Sequence, residues 1–168
     1  YNCAQYLRRC LNSTVQQSFS DFEVIVVNNY SEDDTIELVE SYRDPRVRLI
    51  NFRNHGIIAA SRNVGIQEGR GEFVAFLDAD DWWYREKLEV VSGHLEEAHV
   101  VYHDLDIYRP AGRSRLRKCK GRALAAPVYV DLMVNGNGIP NSSAVAKRSE
   151  IIKAGGLSES KELVAVED

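Results

Sequence analysis

Apolar runs alternate with amphipathic stretches along the chain. Cys3, Leu7, Cys10, Leu11 and Val15 recur at helical spacing, and Asn2 is placed to cap the helix they predict over about residues 3–17. Residues 22–27, 47–51 and 73–77 are short runs rich in β-branched or aromatic side chains. Such continuous runs predict strands buried on both faces. A helix is predicted after each of them. The first is capped within 31–35, built on Ile36, Val39 and Tyr42, and broken by Pro45. The second covers 57–68 and is punctuated by Gly69 and Gly71. The third covers 84–98, with Leu88, Val91, Leu95 and Ala98 on one face. Beyond it, the pattern predicts a strand from 100 to 102, a short helix over 128–135, a strand over 142–146 and a helix over 149–154 stopped by Gly155 and Gly156.

Strands alternating with helices imply βαβ units, hence an α/β, Rossmann-like architecture with a mainly parallel sheet and helices on both faces. No internal repeat or low-complexity linker interrupts it, so a single domain over 1–168 is expected. Tyr1 and Asn2 open directly on a helical pattern with no leading strand, and the chain stops at Glu167 and Asp168. The 168 residues are therefore expected to be a fragment of a longer protein.

Composition changes this picture little. With 44% hydrophobic and 27% charged residues the chain is an ordinary globular sequence, and a net charge of −4 gives no reason to expect a nucleic-acid partner. Charge is uneven, however. Residues 109–122 carry seven Arg or Lys side chains and no acid, and 113–122 is expected to be a loop or hairpin. Its basic side chains suit either solvent, or anionic membrane lipid and phosphate. Cys3, Cys10 and Cys119 are few and odd in number, which favours reduced thiols and a cytoplasmic setting, at most peripheral to the inner face of a membrane. The sequons at Asn12 and Asn141 are read as chance matches, and no run approaches the ~20 apolar residues of a membrane span.

In open α/β sheets, ligands sit beyond the carboxyl ends of the strands. Three polar clusters fall at such ends: Asn28 and Asn29, then Arg53 to Gly56, then Asp78 to Asp81. Three carboxylates in four residues repel one another unless a cation or other partner offsets them. Mg²⁺ and Mn²⁺ favour hard oxygen ligands and fill remaining positions with water and substrate phosphates. Asp78 and Asp80 thus suit a metal-diphosphate site, while a capping role for the following helix is the competing explanation. Asn28 and Asn29 suit contact with a base or ribose, or an Asx turn. Ser31 and Asp33 read as helix caps. Arg62 suits a diphosphate, the acidic cluster or plain solvent. His55 reads as a loop residue. Trp82 and Trp83 suit a sugar face, with core packing expected for at least one.

The chain has no G-x-G-x-x-G, Walker lysine loop or paired C-x-x-C, so the dehydrogenase and P-loop classes lack their chemistry. Instead it resembles family 2 glycosyltransferases of the GT-A fold over nearly its whole length. Tyr1-Asn2 resembles the end of that family's opening motif. Residues 22–35 resemble its nucleotide-binding strand and Ser-x-Asp-x-Thr turn, and 54–65 its Asn-x-Gly...Ala-Arg-Asn-x-Gly segment. Residues 71–81 resemble the segment ending in Asp-x-Asp-Asp, continued by Trp83, Lys87 and Leu88. Gly155-Gly156-Leu157 and Glu167-Asp168 resemble the later Gly-Gly-Phe...Glu-Asp pattern.

The resemblance implies inverting transfer of a sugar from a nucleoside-diphosphate sugar, commonly a UDP-sugar, to a saccharide or lipid-linked acceptor hydroxyl in bacterial surface polysaccharide synthesis. It assigns Asp78 to the ribose or metal-bound diphosphate, Asp80 to Mn²⁺ or Mg²⁺, and Asp168 to the general base. Asn28 or Asn29 stands where the family usually has a nucleoside-contacting Asp, and the first strand of the family fold is absent from the chain. A sugar nucleotidyltransferase and a non-catalytic GT-A-like binding module are the alternatives.

Overall fold

A computed structural model describes residues 1–108 and 117–163. Its elements, in chain order, are α1 (Ala4–Val15), β1 (Val24–Asn28), α2 (Thr35–Ser41), β2 (Val47–Asn51), α3 (Ile58–Glu68), β3 (Phe73–Ala75), α4 (Lys87–Ser92), β4 (Val100–Val101), β5 (Leu105–Ile107), β6 (Arg117–Cys119), α5 (Val128–Asn135), β7 (Val145–Lys147) and α6 (Arg148–Lys153). β1 and β2 form the expected parallel pair, in a register running from Val24 opposite Val47 to Asn28 opposite Asn51. β7 returns antiparallel between β3 and β4, and β5 pairs antiparallel with β6.

Alternation along β1 sends its side chains to two helical layers. Leu7, Cys10 and Leu11 of α1 and Leu38 and Val39 of α2 form a buried core, against which Val24, Val26, Val47 and Leu49 pack. On the other face, a Cβ added at Gly65 of α3 would meet the Val27 side chain at 3.7 Å. Helices therefore cover both faces of the parallel pair. The loop after α6 is fixed to α3 by Asn63, which hydrogen-bonds both the N–H and the C=O of Leu157. Gly156 lies there at φ +83°, and a Cβ on it would stand 2.9 Å from Asn63 Oδ1, so only glycine suits the position.

Three elements are shorter than their patterns. The helix expected over 84–98 is confined to Lys87–Ser92. After Gly93, amides bond three residues back, from His94 to Val91, Leu95 to Ser92 and Glu97 to His94, so the helix tightens and ends at its weakest former. β3 stops at Ala75, although Phe76 N–H still donates to Ala144. The strand expected over 142–146 begins instead as a 3₁₀ turn at Asn141–Ser143. Cys3, Cys10 and Cys119 are unpaired, and no helix among the described residues is long and apolar enough to cross a membrane.

Lys87 is an exception to the apolar core. It is 7% exposed, its Nζ has no hydrogen-bond partner, and it lies 4.0 Å from the centroid of the Trp83 ring. Burial pushes its amine down from 10.5 to about 7.

Two outcomes follow for stability. Leu11 is 1% exposed in the α1–α2 core, so Leu11→Ala is expected to destabilise the intact protein by about 2–5 kcal/mol, read by urea unfolding. Between pH 10.5 and about 7, folded Lys87 is neutral while the unfolded chain binds the proton. Stability is therefore fully present above that range and is lost as pH falls through it, by up to ~1.4 kcal/mol per unit. Lys87→Met is expected to flatten this slope in unfolding curves measured across the range.

Candidate functional site

The carboxyl ends of β1, β2 and β3 converge. At the tip of β1, Asn28 is 3% exposed and both ends of its amide are used: Nδ2 donates to Asn51 Oδ1 at 2.8 Å, and Oδ1 accepts from Ser31 N at 3.1 Å. Asn29 Oδ1 accepts from Asn54 N at 3.1 Å. Asn28 therefore ties two strand tips together, and Asn29 holds the loop that leads into α3. Of the two, Asn29 is the more accessible to a ligand.

Backbone strain gathers here. Among the described residues, Asn2, Tyr30 and His55 are the non-glycine residues with positive φ, at 50°, 55° and 54°, and all three flank these tips. Asn2 N–H donates to Ser31 Oγ, and its Oδ1 accepts from Glu32 N. Asp33 accepts from Ala4 N–H in the first turn of α1 and from Thr35, so its role as a helix cap is as expected. The Thr35 hydroxyl is the main cause holding the Asp33 carboxyl below its ordinary range. His55 is an exposed turn residue.

The three acids beyond β3 have different surroundings. Asp78 Oδ1 accepts from Arg62 Nη2 at 3.1 Å and from Asn141 Nδ2 at 2.8 Å, and its own N–H donates to Ser142 Oγ at 3.1 Å. Arg62 is well shielded there, at 13% side-chain exposure. Asp81 N–H closes the turn onto Asp78 C=O at 3.0 Å. The Asp81 carboxyl is raised above its usual range, first by burial and then by the charges of Asp80 and Asp78, against an opposing hydrogen bond from Ser142. Asp80 is exposed, with no hydrogen bond to another described residue. None of the three acts as a side-chain cap for α4.

Trp82 and Trp83 diverge. Trp83 is 8% exposed and its Nε1 donates to Ser142 C=O at 2.8 Å, so it is core. Trp82 lies with its face 3.4 Å from the Arg9 guanidinium and its ring edge-on to Tyr108. The basic residues 109–116 and the proposed base Asp168 lie outside the described residues. Arg122, at the end of the basic stretch, pairs with Asp131 and donates to Gly136 C=O.

Asn141 and Ser142 belong to this site, and the sequence pattern did not point to them. Asn141 stands out only as part of a sequon, and no local periodicity links it to an acid 63 residues earlier. The long return of β7 beside β3 brings them together.

An α/β sheet with helices on both faces, bearing an acidic cleft at the carboxyl ends of its strands, defines the class: a nucleotide-binding type of fold with ligands at the strand tips. The model of the family "Glycosyl transferase family 2" matches residues 1–125. The chain is 43% identical over 84 residues to the putative glycosyltransferase EpsH of Bacillus subtilis, which covers 49% of this chain and 24% of that protein. It is 33% identical over 146 residues to the poly(ribitol-phosphate) β-N-acetylglucosaminyltransferase TarS of Staphylococcus aureus, covering 84% of this chain and 21% of TarS. The crystal structure of S. aureus TarS 1–349 in complex with UDP superposes with a TM-score of 0.77 at 24% identity, over 99% of this chain and 50% of that one. The chain belongs to glycosyl transferase family 2 and has the GT-A fold. It spans about a quarter of the length of these curated relatives.

Ser142 is the joint of the site, since it is 2% exposed and serves both Asp78 and Asp81. Ser142→Ala leaves the Asp78 amide without its acceptor and is expected to destabilise the protein by about 1–3 kcal/mol in thermal unfolding.

Proposed function

We infer that this chain is the donor-binding portion of an inverting glycosyltransferase that moves a sugar from a nucleoside-diphosphate sugar, with UDP as the favoured nucleotide, to an acceptor hydroxyl. The carrying observation is the contrast at the tip of β3. Asp78 is neutralised by Arg62 and oriented by Asn141, while Asp80 stands exposed and uncommitted beside it. Membership of the family and the UDP-bound structure of TarS support a nucleotide-sugar donor.

The donor set fits a divalent cation. Among the described residues no group of three His, Cys, Asp or Glu side chains forms a closed cage. An open pair of carboxylates is what Mg²⁺ or Mn²⁺ takes when substrate phosphates complete its shell. Asp80, with Asp78, would hold the ion, whose chemistry is to stabilise charge gathering on the diphosphate. A mannosyltransferase of Pyrobaculum calidifontis, of similar fold at TM-score 0.69 and 22% identity over 95% of this chain and 45% of that one, has been solved with GDP-Man and Mn²⁺. Arg62 adds fixed positive charge at the same corner, and Asn29 offers its amide to the nucleoside.

In the transfer itself, a carboxylate takes the proton of the acceptor hydroxyl as its oxygen bonds to the anomeric carbon. The bond from that carbon to the diphosphate breaks, and attack from the opposite face inverts the centre. Asp168 is the carboxylate assigned to this task. Bacterial surface polysaccharide synthesis is the setting, with a saccharide or lipid-linked acceptor. The basic stretch beginning at Arg109 would meet the anionic membrane surface at its cytoplasmic side.

Calorimetry of the full-length protein with UDP and Mn²⁺ tests the donor site. Asp80→Asn is expected to weaken binding at least tenfold, or ~1.4 kcal/mol, and to remove its dependence on the metal. Metal-dependent binding that survives Asp80→Asn unchanged would refute the assignment. Asp168→Asn is expected to abolish transfer while leaving UDP binding intact.

A further inference from the structure

A helix on the surface of a globular domain turns its apolar stripe inward and its polar side chains to water. α5 does the reverse. At about 3.6 residues per turn, Tyr129, Val130, Met133 and Val134 share one face, and Asp131, Leu132 and Asn135 share the other. The first face is open to solvent, at 75%, 51%, 71% and 74% exposure, and no residue of α5 is buried. The second face is turned to the protein. The Asp131 side chain is 10% exposed and accepts from Arg122 and from Asn135 Nδ2 at 2.9 Å. The one acid of the helix is thus committed inward, while its large apolar side chains stand in water. A contiguous apolar surface of this kind marks a contact with something else.

Charge selects the partner. In a chain of net charge −4, the sequence from Ile107 to Ser149 holds nine Arg or Lys side chains and one acid, Asp131. Arg122 neutralises that acid. Arg122 also fastens the basic stretch to α5, since its N–H donates to Gly138 C=O at 3.2 Å and its guanidinium to Gly136 C=O at 2.8 Å. Arg117, Lys118 and Lys120 stand exposed on β6 and just after it. An apolar helix face bordered by cations suits a helix lying in the plane of an anionic bilayer, with its apolar side chains among the acyl chains and its cations on the headgroups. Contact between two copies of the chain suits it less. An isologous pairing of these faces would set two cationic stretches against each other.

We propose that α5 is a membrane-insertion helix: its Tyr129, Val130, Met133 and Val134 face enters an anionic lipid leaflet, while Arg117, Lys118 and Lys120 bind the headgroups. The proposal rests on the membrane setting given above for the basic stretch, and adds the element that enters the lipid. Insertion is shallow, about 5–10 Å, as for other helices that lie in the interface. It needs no spanning segment. The Tyr129 ring, apolar in body and polar at its tip, suits the headgroup boundary. Asp131 is kept out of the lipid by its bonds to Arg122 and Asn135.

Flotation of the full-length protein with lipid vesicles tests this without any donor. Binding is expected to equimolar phosphatidylcholine–phosphatidylglycerol vesicles, and to be ~10-fold weaker on phosphatidylcholine alone. Met133→Glu is expected to weaken binding at least ~10-fold, through loss of the apolar face. Lys118→Gln combined with Lys120→Gln is expected to weaken it ~10-fold and to reduce its dependence on salt. All three side chains are exposed, so thermal unfolding of these variants is expected to match that of the parent protein. In Tyr129→Trp, the added indole is expected to shift its emission to the blue on vesicles and to be quenched by lipids brominated in their acyl chains, which attraction to headgroups alone would not produce. Calorimetry with UDP and Mn²⁺ reads the donor site separately. Full-length protein that binds UDP but floats with neither vesicle would overturn the membrane proposal and leave the donor site standing. Vesicle binding that Met133→Glu leaves unchanged would overturn it too. So would a Tyr129→Trp indole already blue-shifted and shielded from acrylamide without lipid, which would mark a second copy or another part of the chain as the occupant.

Discussion

The structure depends on neutralising Asp78. An apolar strand ends in three acids, and their mutual repulsion opposes the turn that brings them together. Arg62 supplies the opposing charge from α3, Asn141 supplies a neutral donor from the segment before β7, and Ser142 takes the Asp78 amide. Two distant parts of the chain, α3 and the segment before β7, thus meet at Asp78. Because Arg62 is 13% exposed, its attraction to Asp78 is screened less than that of a surface pair. The same contacts leave Asp80 outward, so the neutralised acid positions the free one.

Much of this was legible in local pattern. The apolar run at 47–51 is β2 as observed, and 128–135 is α5, because β-branched runs and helical spacing act within a few residues. The α/β class and strand-tip location of the polar clusters follow from the same signals. β7 is different. Its insertion between β3 and β4 is decided by pairing Phe73 with Lys147, 74 residues away, and nothing in the spacing of either strand encodes the partner. Asn141 and Ser142 were hidden for that reason. The overlong helix at 84–98 was a local misreading, since the apolar face of Leu95 and Ala98 outweighed Gly93.

Membership of a family sharpened the site but did not dictate the roles of its residues. Asn28 and Asn29 are adjacent and chemically identical, yet their surroundings separate them. Asn28 has a donor engaged by Asn51 and an acceptor engaged by Ser31, at 3% exposure, so it acts as a strap between parallel strands. Among the described residues, Asn29 has only its acceptor committed, to Asn54. Resemblance alone does not choose between Asn28 and Asn29, whereas the hydrogen bonds among the described residues leave the side-chain amide nitrogen uncommitted on Asn29 and not on Asn28.

That distinction explains why an amide suits position 28. A carboxylate there would lose the Nδ2 donor that meets Asn51, and would carry charge into a site almost closed to water. Neither the Asn51 amide nor the Ser31 N–H brings the full positive charge that a buried carboxylate needs. Across the cleft, the acids at β3 have Arg62 and open solvent. The fold thus keeps neutral amides at the tips of β1 and β2 themselves and clusters three acids beyond the tip of β3. The division arises because buried parallel strands tolerate polar tips only where each donor and acceptor finds its partner.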